Sequence, residues 1–159
     1  MFSSKMLNLT QLLQQVARWR LKSHTIVFTN GCFDLLHSGH LHTLQESKKL
    51  ADKLIVAVNS TSSVQELKGS NRPIQSEEER CNMLAALQIV DAVVIFDEDT
   101  PLNLIEKIQP DVLVKGGDWA IENIVGADLV LKNGGLVKSI LLKEGYSTTS
   151  LIQRIKEKG

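Results

Sequence analysis

The sequence predicts a single α/β domain in which a doubly wound sheet of about five parallel strands is flanked by helices. Three observations support this fold class. Five apolar runs recur along the chain with helical stretches between them, which is the pattern of βαβ units. The first run, residues 25–28, is β-branched or aromatic throughout, as in a strand covered on both faces. The length of 159 residues suits one Rossmann-like domain over residues 1–159.

The elements are predicted in chain order from the spacing of apolar residues. An amphipathic helix at about residues 8–22 precedes the first strand, because its apolar residues recur at helical intervals. The later strands are predicted at residues 54–58, 92–96, 112–114 and 136–142. The later helices are predicted at residues 38–51, 62–67, 76–87, 101–108 and 123–133, and from residue 147 onwards.

Capping signals predict several helix ends. Ser76 and Glu79 form a capping box, which predicts that a helix begins there. Pro101 is predicted as the first residue of a helix, where its missing N–H group does no harm. An N-G-G sequence at residues 133–135 predicts the end of another helix.

The composition excludes several classes of function. Lysine plus arginine and aspartate plus glutamate number 18 each, so the chain lacks the basic field of a nucleic-acid-binding protein and we expect a small ligand. No apolar run reaches the ~20 residues of a membrane helix, and no signal-peptide core is visible. We therefore expect a cytoplasmic protein without a membrane partner. Cys32 and Cys81 are predicted to be free thiols.

The most informative segment is T-N-G-C-F-D-L-L-H-S-G-H at residues 29–40, between the first strand and a helix. His37 and His40 are three residues apart, so they lie on one side of the first helical turn. Unpaired N–H groups and the helix dipole favour an anion there, and Gly39 carries no side chain to block it. The segment therefore predicts a polyphosphate site. The structural alternative is a pair of surface histidines that cap the helix.

Two other chemistries for this segment are disfavoured. Metal binding by the histidine pair ranks low, because no cysteine or carboxylate stands at a spacing that would complete a zinc site, so no metal ligands are predicted. A dehydrogenase-like dinucleotide site is excluded, since no G-x-G-x-x-G motif follows the first strand.

Other segments supply candidate contacts. Paired glycines at residues 116 and 117, where the fourth strand ends, allow the backbone to approach a base or ribose closely. Asp34 is predicted as structural support that orients the histidine turn through hydrogen bonds from backbone N–H groups, and not as a base. A second anion cradle is predicted at the start of the last helix, from Ser147, Thr148 and Thr149.

Two separated motifs resemble the nucleotidyltransferase superfamily with the H-x-G-H signature, and within it the cytidylyltransferase-like branch. That branch reads G-x-F-D-x-x-H-x-G-H, which is matched by Gly31, Phe33, Asp34, His37, Gly39 and His40. It also carries S-T-T before the last helix, as this chain does at residues 147–149. The resemblance covers about residues 25–155. It implies transfer of a nucleotidyl group to a phosphate by in-line attack, with Mg²⁺ carried by the nucleotide.

The resemblance also implies residue roles. His37 and His40 act on the triphosphate and Lys68 on substrate phosphates, so these three are the predicted catalytic residues. The predicted nucleotide-binding residues are Asn30, Gly31, Cys32, Phe33, Gly39, Arg80, Lys115, Gly116, Asp118, Ser147, Thr148 and Thr149. Plainer alternatives are a solvated loop for Lys68, a helix-surface ion pair for Arg80 and a ligand-free turn for Asp118.

Further stretches resemble the adenylyltransferase half of the ADP-heptose synthases. They are V-A-V-N-S at 56–60, L-K-G at 67–69, R-P at 72–73, E-D-T-P at 98–101 and L-V-K-G-G-D at 113–118. Glycerol-phosphate cytidylyltransferases instead carry an arginine and a threonine before E-G-x-S-T-T, where this chain has Leu142 and Lys143. The resemblance implies transfer of AMP from ATP to D-glycero-β-D-manno-heptose 1-phosphate, which gives ADP-heptose and pyrophosphate.

This resemblance also implies the partners. We expect ATP and a sugar phosphate as ligands, a homodimer, and a sugar kinase on a separate protein. Two alternatives stay open. One is a cytidylyltransferase that acts on glycerol phosphate or another polyol or sugar phosphate. The other is an inactive nucleotide-binding regulatory module, against which the presence of His37, His40 and Lys68 speaks.

Overall fold

The computed structural model describes residues 4–143 and 145–159, and within that part of the chain it has five β-strands and seven α-helices. The strands are β1 (Ile26–Gly31), β2 (Lys53–Asn59), β3 (Ala92–Phe96), β4 (Val112–Gly116) and β5 (Leu136–Ile140). The helices are α1 (Leu9–Leu21), α2 (Ser38–Lys48), α3 (Thr61–Lys68), α4 (Glu77–Ala86), α5 (Leu102–Ile108), α6 (Ala127–Lys132) and α7 (Thr148–Lys158). None of these helices is long and apolar enough to cross a membrane.

The strands form one parallel sheet in the order β3-β2-β1-β4-β5. Successive residues of a strand face opposite sides, and each side has its own core. Ile26 and Phe28 pack with α1, α5 and α6, whereas Val27 packs with α2 and α4. Helices on both faces leave the central strands buried, which explains their continuous apolar runs. The predicted Rossmann-like fold class is confirmed.

The segment before β1 is tied to the sheet. The N–H group of Val93 donates to the carbonyl oxygen of Lys5 at 2.8 Å, and the N–H group of Leu7 donates to the carbonyl oxygen of Val93 at 2.9 Å. Met6 thus forms a parallel bridge to the edge strand β3. The predicted amphipathic helix follows as α1, with a capping box of Asn8 and Gln11 at its start.

Several boundaries differ from the predictions. β1 runs on to Gly31, because Asn30 and Gly31 pair with Ala57 and Val58 of β2. Residues 115 and 116 likewise extend β4. The helix predicted at 38–51 ends at Lys48, since the chain turns there to enter β2.

The helices around α5 and α6 also start differently. Pro101 is the N-cap of α5 and not its first residue. The single helix predicted at 123–133 is a 3₁₀ turn (Ile121–Asn123) followed by α6. Gly126 separates them with φ +83°, and a Cβ atom there would stand 2.8 Å from Ile105 Cδ1.

Candidate active site

The larger of the two described cavities, about 590 Å³, opens at the carboxyl ends of the strands. It lies where β1 meets β4, which is the point at which the winding direction of the sheet reverses and where ligands of such sheets bind. Its lining includes eight predicted site residues, namely Asn30, Gly31, Cys32, Phe33, His40, Lys68, Lys115 and Gly116. A second cavity of about 410 Å³, beside Met6 and Ile95, has no charged residue in its described lining and is not assigned a function.

The loop between β1 and α2 has a constrained backbone. Phe33 and Leu35 adopt positive φ angles of 50° and 54°, a region that non-glycine residues rarely occupy. Between them, the Asp34 carboxylate accepts hydrogen bonds from Arg72 Nε at 2.7 Å, Ile74 N at 2.9 Å and Gln75 N at 3.0 Å. These contacts join the histidine loop to the segment before α4.

Asp34 remains charged although its side chain is 1% exposed. Burial alone would raise the pKa of Asp34, but the hydrogen bonds from Gln75, Ile74 and Arg72 outweigh it and hold that pKa below its usual value. No local pattern indicates these partners, which lie 38 to 41 residues further along the chain.

His37 is the N-cap of α2. Its Nδ1 atom accepts a hydrogen bond from the N–H group of Gly39 at 3.1 Å, which assigns the ring proton to Nε2. A Cβ atom on Gly39 would stand 2.9 Å from His37 Cε1, so the glycine allows the ring to fold over the helix start. The His37 ring stacks on that of His40, with centroids 3.8 Å apart and planes inclined by 21°.

His40 is the member of the pair that lines the cavity. Burial, followed by the charges of His37 and Lys68, lowers the pKa of His40 to about 4, and burial also lowers the pKa of His37. The His40 ring is therefore neutral near pH 7 and offers one N–H group. Its Nδ1 atom is buried and has no hydrogen-bond partner among the described residues.

Two lysines line the same cavity. Lys68 is predicted to begin the loop after α3, but in the structure it is the last residue of α3. Gly69, with φ +92°, comes directly after it. Lys115 is on β4. Burial, and then the charge of Lys68, lower the pKa of Lys115, although Cys32 acts in the opposite direction. Ammonium groups from α3 and β4 thus provide a setting for an anionic ligand.

Arg80 lies behind the cavity wall and is fully buried, so the alternative of a helix-surface ion pair is wrong. Its Nη1 atom donates to the carbonyl oxygens of Cys32 at 2.8 Å and Asn59 at 2.7 Å. Arg80 therefore holds together the chain segments at the ends of β1 and β2. Its Nε and Nη2 atoms have no partner among the described residues.

The S-T-T segment lies next to the histidine loop. Ser147 caps α7 by accepting a hydrogen bond from the N–H group of Ser150 at 3.0 Å. The Thr148 hydroxyl donates to the carbonyl oxygen of Asp34 at 2.7 Å, which ties α7 to that loop. Of the predicted site residues, those outside the described cavity lining are His37, Asp34, Gly39, Arg80, Asp118, Ser147, Thr148 and Thr149.

The cavity also contains residues that sequence reasoning missed. Thr43, one turn after Gly39 on α2, donates from its hydroxyl to the Gly39 carbonyl at 3.3 Å. Trp119 lines the wall beyond β4, whereas its predicted neighbour Asp118 is exposed outside it. An aromatic residue two positions after the paired glycines was the available signal for Trp119. Cys32 and Cys81 are free thiols, as predicted.

The sequence profile of the family described as cytidylyltransferase-like matches residues 28–154. The chain therefore belongs to the cytidylyltransferase-like family. It is 55% identical over 151 residues to the bifunctional protein HldE of Koribacter versatilis, and 47% identical over 153 residues to that of Magnetococcus marinus. These matches cover 95% and 96% of this chain but 31% of each relative, so the chain spans about a third of their length.

A solved structure agrees with the fold. The lipopolysaccharide core biosynthesis protein from Thermoplasma volcanium superposes with a TM-score of 0.61 at 31% sequence identity. The match covers 78% of this chain and 99% of that one.

Proposed function

We propose that this chain is a nucleotidyltransferase that transfers AMP from ATP to D-glycero-β-D-manno-heptose 1-phosphate. The observation that carries the proposal is the stacked pair of His37 and His40 at the start of α2, beside a cavity that Lys68 and Lys115 also line. A helix start, two neutral imidazoles and two ammonium groups form a setting suited to a triphosphate.

The reaction needs no covalent enzyme intermediate. An oxygen of the sugar phosphate forms a bond to the α-phosphorus of ATP while the bond from that phosphorus to the bridging oxygen breaks and pyrophosphate leaves. Negative charge grows on the leaving oxygens. Donors already fixed in place, such as the Nε2–H group of His37, stabilise that charge more strongly in the transition state than in the ground state.

Magnesium enters as MgATP in this proposal, so that it belongs to the substrate. Among the described residues, no group of three or more His, Cys, Asp or Glu side chains is arranged to hold a metal ion. Mg²⁺ commonly retains waters and is bound mainly through substrate phosphates, which agrees with this assignment.

The acceptor is proposed from the relatives and from one cavity residue. The HldE proteins are similar over nearly the whole chain, and the structural neighbour is named for lipopolysaccharide core biosynthesis. Leu142 lines the cavity at the position where glycerol-phosphate enzymes carry an arginine, which disfavours that substrate. The homodimer and the separate sugar kinase are proposed from the sequence resemblance.

Pyrophosphate release measures the activity directly. We would test ATP and CTP against heptose 1-phosphate and glycerol phosphate, with and without Mg²⁺. We expect Mg²⁺-dependent formation of ADP-heptose, with CTP and glycerol phosphate used at least ~100-fold less efficiently, the scale of about two lost polar contacts. Equal or faster release with CTP and glycerol phosphate would indicate the cytidylyltransferase alternative. Nucleotide binding without release from any pair would indicate the regulatory module.

A further inference from the structure

Trp119 is held firmly against the backbone at the end of β4. Its backbone N–H group donates to Ser139 Oγ at 3.0 Å, and its indole Nε1–H group donates to the carbonyl oxygen of Gly116 at 3.2 Å. A Cβ atom on Gly117 would stand 2.5 Å from the same Nε1 atom, so the indole occupies the space that a side chain there would need. Gly117 also has φ +127°, which favours glycine. The ring orientation is therefore fixed before any ligand binds.

The same ring remains 47% exposed and forms part of the cavity wall. Lys115 Nζ lies 5.9 Å from the centroid of the indole, so a charged donor stands beside the aromatic surface. A ring fixed by hydrogen bonds but open towards a cavity differs from a core aromatic such as Phe28, which is fully buried. It offers a flat apolar surface to a ligand.

We propose that Trp119 is the stacking platform for the base of the bound nucleotide and that it favours purines over pyrimidines. This inference rests on the proposed function, which puts the triphosphate at the histidine pair. β1 leads into the histidine loop and its neighbour β4 leads to Trp119; the two strands pair at Phe28 and Leu113. A nucleotide that spans these two neighbouring strand ends has its phosphates at His40 and its base at Trp119.

The remaining cavity wall supports this orientation. Lys68 and Asp99, which follow β2 and β3 in the chain, also line the cavity and offer polar groups to an acceptor rich in hydroxyl groups. The β4 side offers the indole. Aromatic stacking accepts any base, but a bicyclic purine covers more of an indole than a pyrimidine does, so ATP gains more than CTP.

Intrinsic fluorescence tests the contact without turnover. The chain has two tryptophans, and the other, Trp19, is a residue of α1 that packs into the core and is 7% exposed. We expect ATP, added without an acceptor, to quench the fluorescence of the parent protein but not that of Trp119→Phe. Quenching of equal size in both proteins, or quenching by heptose 1-phosphate alone and not by ATP, would overturn the inference.

Calorimetry with three variants tests the energetics. Trp119→Leu retains apolar bulk without a ring, and we expect it to raise the Kd for ATP about tenfold, or about 1.4 kcal/mol, but that for CTP less than about threefold. Trp119→Tyr and Trp119→Phe keep an aromatic face, and we expect them to stay within about threefold of the parent for ATP. An ATP affinity of Trp119→Leu within about threefold of the parent would contradict stacking.

Pyrophosphate release separates the two hypotheses. If Trp119→Leu binds ATP like the parent while the parent releases pyrophosphate, stacking is wrong and the transfer activity stands. If ATP quenches Trp119 and the leucine variant loses affinity, but no acceptor yields pyrophosphate, stacking stands and the transfer activity is wrong.

Discussion

The imidazole rings of His37 and His40 lie face to face, with centroids 3.8 Å apart. Two positive charges at this distance would repel each other, so protonation of one ring opposes protonation of the other. His37 uses its Nδ1 atom to cap α2, which leaves Nε2–H as its free donor. In the absence of ligand the pair therefore presents neutral N–H donors to an anion at the start of α2.

The first prediction concerns catalysis by the pair. Replacing either histidine by alanine should reduce turnover by ~2 to 4 kcal/mol in barrier terms, the typical cost of losing one preorganised donor. The effect on ATP affinity should be much smaller, because the hydrogen bonds strengthen as charge develops. Initial rates and ATP binding by calorimetry measure the two quantities.

His37→Asn is the matched control for the capping role. Asparagine is a good N-cap and can accept from the Gly39 N–H group, but it has no donor in the place of Nε2. We expect this variant to keep the stability of the parent to within about 0.5 kcal/mol and to lose activity like His37→Ala. Turnover within about threefold of the parent in both alanine variants would remove the pair from the mechanism.

The second prediction concerns pH and stability. The pKa of His40 is about 4 in the folded protein against 6.5 as its ordinary value. Between these values the unfolded chain binds a proton that the folded chain does not, so the free energy of unfolding falls as pH is lowered from about 6.5 towards 4. The loss attributable to His40 is on the order of 3 kcal/mol.

Urea denaturation between about pH 7 and pH 5 measures this slope. His40→Gln keeps an amide donor but does not titrate, so its free energy of unfolding should depend less on pH than that of the parent. Asp34 acts at lower pH, because its pKa lies below its usual value of 3.8. An equal slope in both proteins would show that His40 is not the group responsible.

The third prediction concerns Lys68. Lys68→Ala should raise the KM for at least one phosphate substrate and lower kcat, because an ammonium group at the cavity wall serves both the ground state and the transition state. Lys68→Arg keeps the positive charge and should recover part of both losses. Steady-state kinetics with each substrate varied in turn would measure this. If Lys68→Ala keeps the kcat and KM of the parent with both substrates, Lys68 contacts neither substrate and is only a solvated surface residue.

The fourth prediction concerns Asp34. Asp34→Asn removes the charge opposite Arg72 and turns one of three accepting contacts into a clash between donors. We expect a loss of about 3 kcal/mol in the free energy of unfolding, as when one partner of a buried ion pair is removed. Glu46→Gln, which breaks the exposed pair of Glu46 and Lys49, is the control and should change stability far less than Asp34→Asn does. Similar losses in the two variants would contradict the role of Asp34.

Local patterns were enough to predict most of the elements and the position of the histidine pair at the start of α2. Apolar runs predicted all five strands, and the capping box at Ser76 predicted the start of α4 correctly. The ends of β1 and β4 were missed because pairing with neighbouring strands, and not local preference, extends them to Gly31 and Gly116. Strand pairing of this kind depends on residues distant in sequence.

The positions of charged side chains were harder to predict. The E-E-E-R sequence around Arg80 is typical of a solvated helix face, yet the guanidinium is fully buried. Its acceptors, the Cys32 and Asn59 carbonyls, belong to two strand ends that only the folded sheet brings together. Backbone acceptors that belong to other elements cannot be inferred from the residues that surround Arg80 in the sequence.

The bridge between Met6 and Val93 bears on where this domain can be cut. The family profile begins at residue 28, but residues 5–21 cover the edge of β3 and bury Leu12, Val16 and Trp19 against the sheet. A fragment trimmed to residues 28–154 would expose that apolar surface and an open strand edge, both of which favour aggregation. The autonomous folding unit is therefore larger than the segment that defines the family, and fragment libraries should keep the N-terminal helix.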